Sequence, residues 1–369
     1  MLRKNNYFRV LHYMMKPILK VLAWSIGVIV GSGILIVAGF LVYSSIMEYK
    51  PGPTESVEIT EVGCRAVNPD RAFSFITWNI GYGGLGKEMD FFYDGGTRVR
   101  PDSSYFRQSC NGILRFLKAH DLVDFFLLQE VDIHSKRSYY LDETTWLGEK
   151  LPGFCRVFAT NYNCRFVPVP PTNPMGYVHS GLAIFSRFRI DSAARHGFDK
   201  HMSWPGRLFY LKRCFLTSRF FLPDSSQLVL VNIHNSAFDT GGILRTREME
   251  MIRKFMIEEY KRGNYLIAGG DWNDNPPGFK REMILTGDRI KQDEFTDLND
   301  YFPGWTFAFD STAPTNRNVD TQYEHGITPT TILDFFLVSP NVEVVDVETF
   351  STGFAFSDHQ PVYLKIRLK

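Results

Sequence analysis

A mixed α/β or α+β sandwich with much antiparallel pairing is predicted for most of this chain by three observations. Short apolar runs of strand length recur from Phe73 onward, each bounded by turn residues. Only two clear amphipathic helical patterns interrupt them. A regular βαβ array needs a helix between nearly every pair of strands, and that spacing is missing. The 369 residues suffice for a sizeable core. With no repeat or low-complexity segment, residues 71–369 read as one catalytic-sized domain.

The elements before that domain follow from charge. Residues 1–20 form a short basic segment, with Arg3, Lys4, Arg9, Lys16 and Lys20. From Val21 to Met47 there is no charged side chain. As a helix this stretch runs roughly 40 Å, enough to cross a hydrocarbon core of about 30 Å. A cleaved signal peptide has an apolar region of only about 7–15 residues, so residues 21–47 are expected to be an uncleaved transmembrane helix. Basic residues concentrate before the span and Lys50 is alone just after it. The positive-inside rule then puts the N-terminus in the cytoplasm and the body outside it. Residues 48–70, proline-rich at their start, read as a linker.

Overall there are 41 basic and 40 acidic residues, but residues 1–50 carry +5 and the remainder −4. A mildly acidic body argues against tight electrostatic binding of bulk nucleic acid, while leaving room for a local basic cleft. The five cysteines (Cys64, Cys110, Cys155, Cys164 and Cys214) contain no C-x-x-C spacing, which removes zinc ribbons and thioredoxin-type motifs. An extracytoplasmic body permits disulfides. A Cys155–Cys164 bridge would need their strands to pair, and burial of most of the thiols is the simpler expectation.

Within the body, the expected strands are Phe73–Trp78, Phe125–Leu128, Phe154–Ala159, Leu182–Phe185, Cys214–Thr217, Leu228–Ile233, Tyr265–Ala268, Leu333–Val338 and Val362–Ile366. Helices are expected over Ser104–His120, capped by Asp102 or Ser103, and over Leu244–Tyr260, where Met249, Ile252, Met256 and Tyr260 share a face. Gly81-Tyr82-Gly83-Gly84-Leu85-Gly86 fits G-x-G-x-x-G. A dinucleotide fingerprint also needs an apolar helix to open there, and none does. The glycines read instead as a loop turning away from Asn79.

Polar residues cluster at the ends of these strands. Asn79 follows Phe75-Ile76-Thr77-Trp78, Glu130 follows Phe125–Gln129, and His234 closes Leu228–Ile233. Asp271 and Asn273 follow Tyr265–Gly270, and Asp358-His359 precedes the last strand. Alone, most of these are turn formers or solvated rim residues. Asp334 stands inside Thr331–Phe336, an acid in an apolar strand that needs a partner, and His359 is a natural one. Carboxylates, amides and imidazoles gathered at one sheet rim are the groups needed to hold a divalent cation and a phosphate together.

The ordered set resembles the endonuclease/exonuclease/phosphatase superfamily, which includes DNase I, abasic-site endonucleases, neutral sphingomyelinases and inositol polyphosphate 5-phosphatases. The matching pieces are Thr77-Trp78-Asn79-Ile80, Leu128-Gln129-Glu130-Val131, Ser180–Arg187, Val231-Asn232-Ile233-His234, Gly270-Asp271-Trp272-Asn273, Ile332-Leu333-Asp334 and Ser357–Val362. They cover roughly residues 72–368.

The resemblance implies a DNase I-like four-layer α/β sandwich: two central sheets covered by helices, with the site at one rim. It implies hydrolysis of a phosphoester, usually with Mg²⁺ or Mn²⁺. Glu130 matches the principal metal ligand, with Asn79 and Asp358 beside it. Asp271 and Asn273 match the pair placed at the nucleophile and the scissile phosphate. His359, oriented by Asp334, acts in the family pattern as a base or as a phosphate-stabilising donor, and His234 donates to a phosphoryl oxygen. Arg213 and Arg317 are further candidate phosphate contacts.

Two branches do not fit. Val131-Asp132 follows Glu130 where abasic-site endonucleases carry Thr-Lys, and Thr331-Ile332-Leu333 precedes Asp334 where 5-phosphatases carry a Trp-Cys motif. The expected function is therefore metal-dependent phosphodiester hydrolysis on a membrane-anchored enzyme, with nucleic acid or a phospholipid headgroup as substrate and no protein partner. The rival expectation is a catalytically silent binding module on the same fold. It predicts loss of site residues, yet all the strand-end groups are present.

Overall fold

The computed structural model describes residues 2–198, 202–237, 242–279, 298 and 301–369, without the side chains of residues 2–11. The chain divides into Met1–Glu48 and Tyr49–Lys369. The first unit is one helix, α1 (Leu2–Ile46). Its stretch His12–Ile46 is long and apolar enough to cross a membrane, and none of its described side chains is buried.

The second unit begins where a linker is expected, and here the structure differs. Within residues 49–70, β1 (Thr54–Ser56) and β2 (Ile59–Thr60) each add to the edge of a different sheet. Backbone pairing with an available sheet edge outweighs the turn-rich composition of this short segment. It is stapled as well: Cys64 forms a disulfide with Cys155, so the partner of Cys155 is not Cys164. Cys110, Cys164 and Cys214 are free and buried.

The strands that follow are β3 (Phe73–Asn79), β4 (Phe125–Asp132), β5 (Cys155–Val167), β6 (Gly176–Ser186), β7 (Ser192–Gly197) and β8 (Cys214–Phe221). After them come β9 (Gln227–His234), β10 (Tyr265–Asp271), β11 (Thr306–Ala308), β12 (Asn316–Arg317) and β13 (Thr330–Thr331). The chain ends with β14 (Asp334–Val338), β15 (Val342–Thr349) and β16 (Val362–Leu368). Sheet 1 has the order β15-β16-β3-β4-β6-β5-β2, sheet 2 the order β1-β7-β8-β9-β10-β14-β11, and β12 pairs with β13 in a separate two-stranded sheet. All nine expected strands are present, most of them extended by several residues. β7 and β15 are additions: Ser-Ala-Ala-Arg-His-Gly carries no large apolar alternation, and β15 mixes valines with acids as a half-exposed edge.

Packing gives four layers. One apolar cluster lies between the sheets, built from Phe75, Phe125, Leu127, Leu182 and Ile184 of sheet 1 and Leu216, Leu228, Leu230, Ile267 and Phe336 of sheet 2. Residues of opposite parity face outward. On sheet 1, Ile76, Trp78, Phe126 and Leu128 pack beneath α2 (Ser103–Ala119) and α3 (Glu143–Lys150). On sheet 2, Val229, Val231, Leu266 and Ala268 pack beneath Met249, Ile252 and Met256 of α4 (Ile243–Lys261).

α2 forms where its pattern predicts. Asp102 caps it by accepting from the backbone N–H groups of Ser104 and Tyr105, both at 2.9 Å. Phe106, Cys110, Ile113, Leu114 and Leu117 make its buried face. α3 is an addition to the expected elements, too short for a periodic stripe and started by the Asp142 cap.

Candidate functional site

Each sheet has one parallel pair at its middle, β3 with β4 and β9 with β10. Parallel neighbours end at the same rim, so Asn79, Glu130, His234 and Asp271 meet at one end of the sandwich. β14 runs antiparallel to β10 and pairs Asp334 with Asp271. β16 runs antiparallel to β3, which brings the preceding Asp358-His359 to the same end. Asp334 is the first residue of its strand, rather than an acid in the middle of one.

Local backbone features aim these side chains. In β4 the ladder with β6 is interrupted between Leu128 and Val131, and Glu130 takes φ 53°. A bulge with a non-glycine residue in the left-handed region is unfavourable and is characteristic of sites that must re-aim a side chain. In β10, Gly270 lets the strand approach β9 closely, since a Cβ there would sit 2.0 Å from the Ile233 carbonyl oxygen. The loop before β16 is fastened to β3: Ser357 Oγ donates to the Asn79 carbonyl at 2.7 Å, and Trp78 Nε1 donates to the His359 carbonyl at 2.9 Å.

Asp271 is the meeting point. Its Oδ2 accepts from Asn79 Nδ2 at 3.0 Å and lies 3.6 Å from His234 Nε2 and 3.5 Å from His359 Nε2. Its Oδ1 accepts from the Asn273 backbone N–H at 3.0 Å. Asn79 Nδ2 also reaches Glu130 Oε1 at 3.3 Å, and His234 Nε2 stands 4.0 Å from that oxygen. His359 Nδ1 is bonded to Asp334 Oδ2 at 2.7 Å, the pairing expected from sequence.

The two histidines are driven apart by their surroundings. Burial, then the positive Arg213, hold His234 well below the ordinary histidine range, and its Nδ1 is buried without a partner. Burial also works against a charged His359, but Asp334, Asp271 and Asp358 outweigh it and raise the imidazole well above that range. Burial raises both Glu130 and Asp358. Among the described residues no lysine or arginine forms an ion pair with Glu130, Asp271 or Asp358.

That donor set fits a hard divalent cation, which favours several carboxylate oxygens and retained waters. Glu130 is the most open of the acids, its side chain 24% exposed against 2% for Asp271, so a hydrated ion can reach it. Among the described residues, the acids and histidines whose ligand atoms come within 4.8 Å of one another as a group of three are Asp271, Asp334 and His359. Two of these already bond each other, which leaves the Glu130 side the freer seat.

Three of the expected site residues make contacts that the sequence does not show. Asn79 presents its nitrogen to the carboxylates, because its Oδ1 accepts from the Gly81 backbone N–H at 3.0 Å. In this arrangement Asn79 braces the acids through its nitrogen. Arg317 is not a free phosphate contact. Its Nη1 donates to the Asn318 and Thr321 carbonyls and its Nη2 to those of Leu85, Gly86 and Met89. Buried carbonyls need donors more than the rim needs another cation, so Arg317 pins the glycine-rich loop after β3. Asn273 spends its Nδ2 on the Asn235 carbonyl at 2.9 Å, with φ 49°. Arg213 donates Nη1 to the His234 carbonyl and, like Arg317, keeps a buried Nε without a partner.

Sequence reasoning misses Asn316, whose Nδ2 lies 2.9 Å from His359 Nε2. It stands in the polar run Thr315-Asn316-Arg317-Asn318, which carries no apolar strand signal. Gln129 and Asn232 are missed for another reason. Both fall within quoted motifs, and their signal is a polar residue inside an otherwise apolar central strand.

No match was found among curated protein sequences. Among solved structures, an endonuclease/exonuclease/phosphatase from Beutenbergia cavernae is similar at TM-score 0.52 and 15% identity, over 81% of this chain and 72% of that one. D. rerio TDP2, solved with a single-strand DNA product, is similar at TM-score 0.51 and 13% identity, over 81% and 100%. A Bacteroides vulgatus endonuclease/exonuclease/phosphatase matches at TM-score 0.50 and 17% identity, over 81% and 100%. At such identities the likeness concerns the fold. The family itself rests on a sequence profile, described as the Endonuclease/Exonuclease/phosphatase family, that matches residues 76–359. That span runs from β3 to the His359 that closes the site, well over half of the chain, and the chain belongs to this family.

Proposed function

We propose that the chain is a membrane-anchored phosphodiesterase dependent on Mg²⁺ or Mn²⁺. Its family comprises hydrolases such as nucleases and phosphodiesterases. The observation that carries the reading is the convergence on Asp271 Oδ2 of Asn79, His234 and His359, from both sheets, within 3.0–3.6 Å. Glu130 and Asp358 are the residues to hold the cation, with Asn79 bracing Glu130. When bound, the cation supplies charge neutralisation at the phosphoryl oxygens and a lowered pKa for its water.

The chain's own groups have distinct tasks. Asp271 orients the attacking water and takes its proton. His234, neutral, donates one hydrogen bond to a phosphoryl oxygen. His359, held by Asp334 through Nδ1, presents Nε2 to the phosphoryl group, and Arg213 adds positive charge behind His234. Asn273 lies beside the scissile phosphate, its amide nitrogen anchored on Asn235. The helix α1 serves as the anchor, with the body on the extracytoplasmic side. A Cys64–Cys155 disulfide favours that side, since such bonds persist in oxidising compartments.

The test is turnover by the full-length chain in detergent micelles, with Mg²⁺ or Mn²⁺, on single- and double-stranded DNA, RNA, sphingomyelin and a simple aryl phosphodiester. Metal-dependent cleavage of at least one, lost in Glu130→Ala, is the expected result. A folded chain that cleaves none of them returns the fold to the silent-module reading. A reporter fused after Lys369 that is active only in the cytoplasm would overturn the orientation.

A further inference from the structure

Beneath the site, a polar contact crosses the largely apolar space between the sheets. Gln129 of β4 and Asn232 of β9 are both fully buried. Gln129 Nε2 donates to Asn232 Oδ1 at 2.7 Å and also faces Thr77 Oγ1 and the Leu127 carbonyl, both at 3.0 Å. Asn232 Nδ2 donates back across the interface to the carbonyls of Leu128 at 3.0 Å and Ala183 at 2.9 Å.

Those two carbonyls have a particular place. Leu128 and Ala183 are the last regular pair of the β4–β6 ladder before the bulge, and pairing resumes at Val131 with Gly181. The residues carried over the interruption are Gln129 and Glu130, and Glu130 has φ 53°. An amide from sheet 2 thus supplies donors to sheet 1 at the edge of the interruption. On its own strand, Asn232 stands two residues before His234. Gln129 also holds β3, because its carbonyl accepts from the Ile80 N–H at 3.0 Å.

Stability alone does not account for the pair. Gln129 Oε1 is buried with no partner. A partly satisfied buried amide network is less stabilising than an apolar core of the same shape. Its position, one residue from Glu130 and two from His234, points to a task at the site.

We propose that Gln129 and Asn232 are positioning residues: a strut between the sheets that keeps Glu130 in its left-handed backbone conformation and fixes its separation from His234. The strut touches neither substrate nor cation. This inference rests on the proposed function insofar as Glu130 is taken as the cation's main ligand.

The test uses the full-length chain in detergent micelles, with Mn²⁺ binding followed by electron paramagnetic resonance beside kcat and KM. Asn232→Leu keeps the volume and removes both donors. Thr77→Val is the milder variant, taking away one acceptor of Gln129 without changing shape. Loss of a partner that orients a metal ligand typically weakens affinity or activity about 10- to 100-fold. Asn232→Leu is expected to weaken Mn²⁺ binding by that factor and to lower kcat while leaving KM nearly unchanged. Thr77→Val should shift both in the same direction by a few-fold. A lowered Tm with unchanged Mn²⁺ affinity and kcat in either variant overturns the strut and reduces the pair to packing. If Asn232→Leu does not fold, Thr77→Val decides alone. Wild-type chain that binds no Mn²⁺ overturns the cation site and the strut with it, whereas intact wild-type binding with unaffected variants overturns the strut alone.

Discussion

The two sheets follow the same directional plan and contribute differently to the site. In sheet 1, β16-β3-β4-β6-β5 runs antiparallel, parallel, antiparallel, antiparallel from neighbour to neighbour, and β14-β10-β9-β8-β7 repeats that pattern in sheet 2. The difference lies at the second strand of each parallel pair. β4 is bulged and swings Glu130 toward solvent, whereas β9 keeps regular pairing with both neighbours through Asn232 and holds His234 buried. The same scaffold thus presents an open carboxylate on one side and a desolvated His–Asp cluster on the other. Under the proposed function the two sides divide the labour, the open side for a hydrated ion and the closed side for proton and phosphate contacts, where low dielectric strengthens each interaction.

Substitutions that separate the sides test this most directly. Asp271→Asn should lower kcat by about 10²- to 10⁴-fold, the range for losing a general base, with Mn²⁺ affinity little changed. Glu130→Gln should instead weaken Mn²⁺ binding by about 100-fold or more, beyond the range typical of an orienting partner, with activity partly recovered at high Mn²⁺. Titrating both variants with the metal distinguishes them, and identical profiles would erase the division.

Within the closed side, Asp334→Asn and His359→Ala should each cost about 10²-fold or more, and the double variant little beyond the worse single one. Groups acting as a unit are strongly non-additive. Additive losses in kcat would break the pairing.

Smaller effects concern how each sheet is held. The Cys64–Cys155 bond ties the segment before β3 to sheet 1 across 91 residues of sequence, and sheet 2 has no described counterpart. Cys64→Ser with Cys155→Ser should lower stability by about 2–4 kcal/mol, read as a lower Tm, with kcat retained below the transition.

The smallest expected effect lies in β7 of sheet 2. His196 stacks on Phe215 at 4.6 Å, and burial, then Arg219, lower it to about 4. The folded chain keeps His196 neutral while the unfolded chain takes up a proton near pH 6.5. Stability is therefore full above that pH and falls as pH drops toward about 4, with a slope of at most about 1.4 kcal/mol per pH unit. His196→Phe should flatten this slope in denaturant titrations at several pH values.

Much of this is legible in the sequence. Apolar runs located the central strands because a buried strand needs little else, and Asp102 or Ser103 as a cap marked the start of α2, with the structure selecting Asp102. The residues that terminate the runs named nearly every member of the cluster. Edge strands were harder. β1 and β2 form because a sheet edge is available to them, a fact absent from residues 49–70 themselves. Arg317 shows a related blindness, since nothing local says that five backbone carbonyls will surround it.

Sequence by itself determined the composition of the site and the reaction class of the family: which acids, amides and imidazoles stand at strand ends, and in what order. Side-chain type and strand periodicity are local properties of the chain. Tertiary structure alone decided which way each group faces. Asn79 turns its nitrogen inward because Gly81 claims its oxygen, Arg317 faces a loop, and an amide strut from the opposite sheet meets the bulge beneath Glu130. Orientation depends on partners far away in sequence, and on which of them satisfies each buried donor and acceptor.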